Sequence, residues 1–465
     1  MKLIDKLYNL KNDMPDLQIK EIKHKIYVFN IQTVSSSMLS NDYVLNYLAN
    51  RSIFKSFIRT QSRRAAAGLH HNIPSISFIN IKEEDVMQYL FDGFTILLYK
   101  DKLIAFETKA SLDRGVNEPS SEPTVKGPKD AFNENYNTNI GLIRKRIKDE
   151  RLKMKEISLG NRTKTKVALL YMDDIVDKSL LSEVTNKISN IKSDKILDVY
   201  YIKDLVKKEN NTTFPTIKSS EKPDTIAKSL TEGKICVVSE NSNNVLIIPT
   251  FFIDYFYYDE DNYQKHLFSV FVKVIRIFAL FITIFAPAIY LALITYDQQI
   301  LPTSLLINFA MQRASVPFPA IIEAFALMFT FELLYEADAL TPSLRGASLS
   351  ILGALVLGEA AVNAGIVSPI MVIVVAITAI SSIIFVYYDF QSFIRIYRYS
   401  FMLLASFFGL IGVLLGFIIV VTNLCNIKCF GKPFLLPIKS ILGIKNNKEM
   451  LKKGLLVQNT NKGDV

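Results

Sequence analysis

The chain has 465 residues, half of them hydrophobic, and a formal net charge of +10. Residues 1–264 carry 39 Lys and Arg against 35 Asp and Glu, residues 265–427 carry 7 against 7, and residues 428–465 carry 8 against 2. The charge-poor middle piece holds apolar runs of the ~20 residues needed to cross ~30 Å of hydrocarbon, which excludes a wholly water-soluble protein.

The N-terminal stretch MKLIDKLYNLKNDMPDL has neither the apolar core nor the small-residue cleavage site of a secretory signal. The region that follows is therefore expected in the cytoplasm. Its charge density and short apolar patterns predict a folded soluble region with its own core. EDVMQYLFDG at 84–93 reads as a helix closed by Gly93, and the strand-like FTILLY and LIAFET follow across a polar turn. The same plan recurs as DTIAKSLTEG ending at Gly233, then KICVVS, the turn residues ENSNN, and NVLIIPT. KIYVFNI near Ile26 falls over KVALLYM near Val167 at the same shift, 167 − 26 = 141. Self-similarity at one offset predicts two similar α/β subdomains, with cores near 20–112 and 138–255, each a small mixed sheet with helices packed on it.

The domain boundaries that follow are 1–112 for the first soluble α/β subdomain, 113–137 for a linker and 138–264 for the second. Residues 265–427 form an all-α, multi-span transmembrane domain of four to five spans, and 428–465 a basic tail. NEPSSEPTVKGPKDAFNEN at the joint contains prolines and a glycine that bar a long helix or central strand. The basic clusters Arg144-Lys145-Arg146 and Arg162, Lys164 and Lys166 are expected to be solvated, the alternative being an anion or lipid headgroup site. His70 and His71 have no acidic or thiol partner at ligand spacing, and Cys236, Cys425 and Cys429 read as free thiols. The chain has no phosphate-binding loop, nucleophile elbow or zinc-protease motif, so no catalytic, metal or cofactor site is assigned. No nucleic-acid partner is expected.

In the membrane region, 277–296 is a charge-free span entered from the basic, cytoplasmic side at Lys265, Lys273 and Arg276. PFPAIIEAFALMFTFELLYEADAL at 317–340 is long enough to span but carries Glu323, Glu332 and Glu336. At 100° per residue Glu323 and Glu332 face nearly opposite sides, while Glu332 and Glu336 share a face. Either it is buried among neighbours or it lies at the interface or re-enters, and the favoured reading is four full spans plus this segment as an amphipathic or re-entrant helix. Carboxylates in hydrocarbon cost at least a few kcal/mol, so at least one of the three is expected to face water or a basic partner. From Gly346 to Tyr388 the sole charge is Glu359, which predicts a helical hairpin turning near Gly365 and Pro369. Glu359, Val362 and Asn363 share one helical stripe leading to Gly365, and this stripe is the candidate pore lining: carboxylate, amide and dewetting valine. The last span, 399–424, contains Gly412-x-x-x-Gly416, a spacing suited to close helix contact. A basic tail wants to be inside, as do Arg395 and Arg398, and no even count of such spans satisfies every loop.

Several strings together resemble the A subunit of bacterial spore germinant receptors, the GerA spore germination protein family: EPSSEPTVKGPKDAFNENYNTNIGLIRKRIKD, LGNRTKTKVALLYMDDIVD, SSEKPDTIAKSLTEG, VPFPAIIEA, LLYEADALTP and LGALVLGEAAVNAGIVSPIMVIVVAITAI. The match covers about residues 80–440. Departures are Glu359, where the family suggests glutamine, and Ser343-Leu344-Arg345 before Gly346. The resemblance implies a subunit of a spore inner-membrane receptor that works with a permease-like B subunit, which recognises the nutrient, and a C-subunit lipoprotein. It also implies that A subunits form a homo-oligomer around an ion path, in contact with membrane lipid. A transporter or a scaffold subunit without its own pore is the alternative.

Overall fold

The computed structural model describes residues 2–22, 26–41, 78–99, 102–110, 119, 122, 126–208, 212–340 and 358–435. His70, His71, the string 343–346 and the tail beyond 435 lie outside the described residues. The chain divides into two compact units, one of α/β and one of helices, meeting in sequence near residue 250.

The α/β unit contains two five-stranded sheets of one design. The first comprises α1 (Lys2–Asp13), β1 (Leu17–Ile22), β2 (Ile26–Ile31), β3 (Phe78–Ile81), α2 (Val86–Phe91), β4 (Phe94–Tyr99) and β5 (Lys102–Glu107). The second comprises α3 (Tyr136–Arg146), β6 (Leu152–Leu159), β7 (Thr165–Met172), α4 (Lys178–Ser189), α5 (Val199–Lys208), β8 (Lys218–Ser220), α6 (Pro223–Thr231), β9 (Ile235–Ser239) and β10 (Val245–Ile248). Strand order is β1-β2-β4-β5-β3 in one and β6-β7-β9-β10-β8 in the other, the same permutation. The repeated pattern in the sequence is therefore a repeated topology. The expected mixed strand direction is corrected: every described pairing is antiparallel. The hairpins β1–β2, β4–β5, β6–β7 and β9–β10 reverse the chain through short turns, which leaves no parallel crossover between neighbours.

The two copies agree residue by residue at the helix stops. Gly93 and Gly233 adopt φ of +83° and +80°, and their amides donate to the Leu90 and Leu230 carbonyls at 3.1 and 3.0 Å. Left-handed backbone at the residue after a helix is the reason glycine stands there. Leu90 and Leu230 are fully buried in their respective cores. The first core gathers Leu7, Met14, Leu17, Phe29 and Ile96, and the second Ile140, Leu152, Leu170 and Val245.

The helical unit contains α7 (His266–Thr295), α8 (Thr303–Arg313), α9 (Ala320–Leu340), α10 (Pro369–Ile383) and α11 (Tyr388–Asn426). Among the described residues, α7 is long and apolar enough to cross a membrane, and so is α11 when its length is counted through Gly409. The expectation of one continuous span over 399–424 is corrected, because α11 breaks at Gly409, where φ is +61° and ψ −147°. A Cβ on Gly412 would lie 2.4 Å from the Leu404 carbonyl oxygen, and one on Gly416 would lie 2.8 Å from the Phe401 ring. In a straight helix, residues 404 and 412 would be about 12 Å apart at 1.5 Å per residue. The arm 410–426 therefore folds back on the arm 388–408, and the two glycines seat it there. Phe285 of α7 touches both arms, at 4.7 Å from the Phe401 ring and 5.8 Å from Phe417.

Candidate functional site

Helical segment 358–363 ends in a two-bond cap. Ile366 N–H donates to the Ala361 carbonyl at 3.0 Å and Gly365 N–H to Val362 at 2.9 Å, with Gly365 at φ +67°. This pairing closes a helix through a left-handed glycine. Gly365 thus acts first as the helix stop. Of the predicted stripe, Glu359 and Asn363 are exposed and Val362 is half-buried. A carboxylate, an amide and a valine are thereby presented together outward from the turn.

Glu323 holds that turn to α9. Its Oε1 accepts from the Ser368 amide at 2.6 Å and the Ser368 hydroxyl at 2.5 Å, and the carboxylate is fully buried. Ser368 precedes Pro369, the first residue of α10, so one carboxylate satisfies the start of that helix. Arg313 Nε lies 3.9 Å from Glu323 Oε2.

Glu332 turns to the opposite side of α9 and pairs with Arg398 and, at 3.5 Å, with Arg395. Two of the three predicted acidic positions are thus engaged by partners, while Glu336 is exposed. Within 317–340 the helix α9 is therefore packed against α7 and α10 over its described side chains, which corrects the expectation of an amphipathic or re-entrant helix. In the sequence Arg395 and Arg398 carry an orientation signal alone; their pairing with Glu332 is decided by tertiary contact.

Asp297, a lone charge after α7, carries no signal in the sequence that marks it as a site residue. Its Oδ2 accepts from Leu410 N–H at 2.8 Å, and the Tyr296 hydroxyl donates to the Ser406 carbonyl at 3.0 Å. The carboxylate caps the free end of the second arm of α11, a role acids favour at helix N-termini.

In the α/β unit two of the three residues of the first basic cluster, Arg144 and Arg146, are drawn inside rather than solvated, while Lys145 is exposed as expected. Arg144 is fully buried and binds Asp16 in two parallel bonds, Nε to Oδ2 at 2.6 Å and Nη2 to Oδ1 at 2.8 Å. Arg146 binds Asp130 at 2.6 Å and also Asp224. Asn139 donates to the Asn133 and Ser242 carbonyls. The string around 126–146 is thus a set of internal ties rather than an anion site. Arg162, Lys164 and Lys166 are exposed, as expected. Burial pushes the Cys236 thiol up, which leaves it neutral and inert.

A tandem antiparallel α/β region followed by an apolar helical unit with buried ion pairs and one broken helix defines the class: a membrane-associated protein with an α/β region. Residues 4–462 match the family model described as Bacillus/Clostridium GerA spore germination protein, and the chain belongs to this family. It is 38% identical over 348 residues to Spore germination protein KA of Bacillus subtilis (strain 168), covering 74% of this chain and 64% of that protein. It is 39% identical over 334 residues to Uncharacterized membrane protein YfkQ of the same organism, covering 72% and 65%. The chain thus spans slightly less than two thirds of the length of these relatives. The crystal structure of the N-terminal domain of the A subunit of the Bacillus megaterium spore germinant receptor GerK3 aligns with a TM-score of 0.38 at 22% identity, over 54% of this chain and 94% of that one.

Proposed function

We propose that the chain is the A subunit of a nutrient receptor in the spore inner membrane, and that its helical unit lines a nutrient-gated ion path. The observation that carries this reading is the outward stripe Glu359, Val362 and Asn363, set at a turn pinned by Glu323. A carboxylate and an amide exposed to lipid would be expensive, so copies of the chain assembled around the stripe would give it water to face. In such a ring the carboxylates attract cations and the valines close the path by dewetting. Membership of the family supports partnership with a permease-like B subunit and a lipoprotein C subunit.

The fold-back at Gly409 supports a topology with both ends of the helical unit on the cytoplasmic side. Phe434, beyond α11, packs 6.1 Å from Phe252, ahead of α7. Lys265, Lys273, Arg276, Arg395, Arg398, Lys428 and Lys432 then lie on one side, as the positive-inside rule asks. The division into 1–112, 138–264 and 265–427, with 113–137 as linker, belongs to the same proposal; the α/β subdomains would assemble the receptor and pass its conformational signal.

Replacing Val362 with Ala or Ser tests the gate. Spores carrying V362A are expected to release ions and germinate without nutrient. A receptor that assembles poorly and stays silent would instead mark Val362 as packing, and the scaffold reading would gain.

A further inference from the structure

Arg395 and Arg398 stand three residues apart on the first arm of α11 and share one carboxylate, Glu332. The Arg398 side chain is 1% exposed and those of Arg395 and Glu332 are 22% and 19%. Among the described residues, two guanidinium groups against one carboxylate leave one positive charge uncompensated. Such a charge taken from water is among the costlier things a protein can bury. Glu336, one turn further along α9, is exposed and does not enter the cluster.

The hydrogen bonds are unbalanced in the same sense. Arg395 Nη2, Arg398 Nε and Arg398 Nη1 are buried without an acceptor among the described residues. Neighbouring polar groups are occupied elsewhere: Tyr335 donates to Gln391 Oε1, the Gln391 amide to the Phe385 carbonyl, and the Ser382 hydroxyl to Ala379 at 2.7 Å. Aromatic rings cover guanidinium faces, Tyr335 at 4.1 Å from Arg395 Cζ and Phe331 at 6.0 Å from Arg398 Cζ. The Tyr399 side chain also hydrogen-bonds Arg398, and the N–H groups at Arg395 Nη2 and Arg398 Nε and Nη1 remain for something else. A small cavity lies between Phe331, Tyr335, Ile394 and the two arginines, with about 10 Å³ open to the centre of a water-sized sphere and so room for one small particle.

We propose that this cavity binds one small monovalent inorganic anion, chloride in the first instance, on the N–H groups of Arg395 and Arg398. A water molecule would accept the hydrogen bonds but leave the charge; a halide supplies both. A phosphate or a lipid headgroup exceeds the cavity. Bound there, the anion ties α9 to the first arm of α11, so the packing of these helices becomes anion-dependent.

The test uses the full chain in detergent micelles, with its unfolding midpoint followed as chloride replaces gluconate at constant ionic strength. A saturable rise in midpoint is expected with chloride and with bromide. Arg398→Gln is expected to abolish the chloride-dependent increment. Glu332→Gln is expected to lower the chloride concentration for half effect, because it removes the competing negative charge. That opposite sign separates an anion site from a purely structural cluster, in which both variants would only lower the midpoint. Should Arg398→Gln not fold, line broadening of the chloride NMR signal by wild-type chain, reversed by bromide, gives an independent reading. Equal midpoints in chloride and gluconate without such broadening would overturn the proposal, as would a response confined to phosphate or to anionic-lipid micelles.

Discussion

Asp16 sits before β1 and Arg144 at the end of α3, 128 residues apart, and their bidentate pair joins the two halves of the α/β unit inside the protein. Thr33 adds a hydroxyl to Asp16 Oδ2 at 2.8 Å. Removing one member of a buried pair leaves the other charge stranded. Asp16→Ala is therefore expected to cost about 3–5 kcal/mol of stability in denaturant unfolding, whereas replacing both residues by apolar ones of similar volume should recover much of it. Glu122 offers a test of the opposite kind. Burial raises its carboxyl pKa, against the lowering effects of Lys218 and the Ser220 hydroxyl bond. The folded chain then holds a proton that the unfolded chain gives up near the ordinary glutamate value of about 4.3. Its contribution to stability is present below that value and is lost as pH rises through the raised one. Glu122→Gln is expected to match the parent in unfolding experiments at about pH 4 and to exceed it at about pH 7.

At the scale of elements, the fold-back of α11 has a single hinge. A Cβ on Gly409 would lie 2.7 Å from Asp297 Oδ2 and 2.9 Å from Tyr296 Cβ, in a backbone region nearly restricted to glycine. Gly409→Ala is expected to strain the turn by about 1–3 kcal/mol and to displace the cap on Leu410. A cysteine placed in the tail should then change its accessibility to a membrane-impermeant thiol reagent; labelling identical to that of the parent would argue against the hinge. The glycine spacing at 412 and 416 was legible as a close contact. Its partner was not, because spacing alone does not say whether the surface it meets is another helix or the preceding arm of its own. The same limit applied to 317–340, whose acids were legible as a problem but whose solutions, Ser368 and the arginine pair, lie at least 45 residues away in sequence.

For the whole molecule, the sequence by itself determined the class and the plan. Charge density separated the soluble part from the apolar part, and the offset of 141 residues announced two copies of one α/β design. Both are local or periodic properties, written in composition and in the alternation of side chains. Motif strings sufficed for the family as well. Tertiary structure alone decided strand direction, the burial of Arg144 on Asp16, the folding of α11 on itself and the pairing of Glu332 with two arginines. Each of these depends on which distant groups meet once water is excluded. A charge or a glycine carries the same letter whether it faces solvent, lipid or a partner far along the chain.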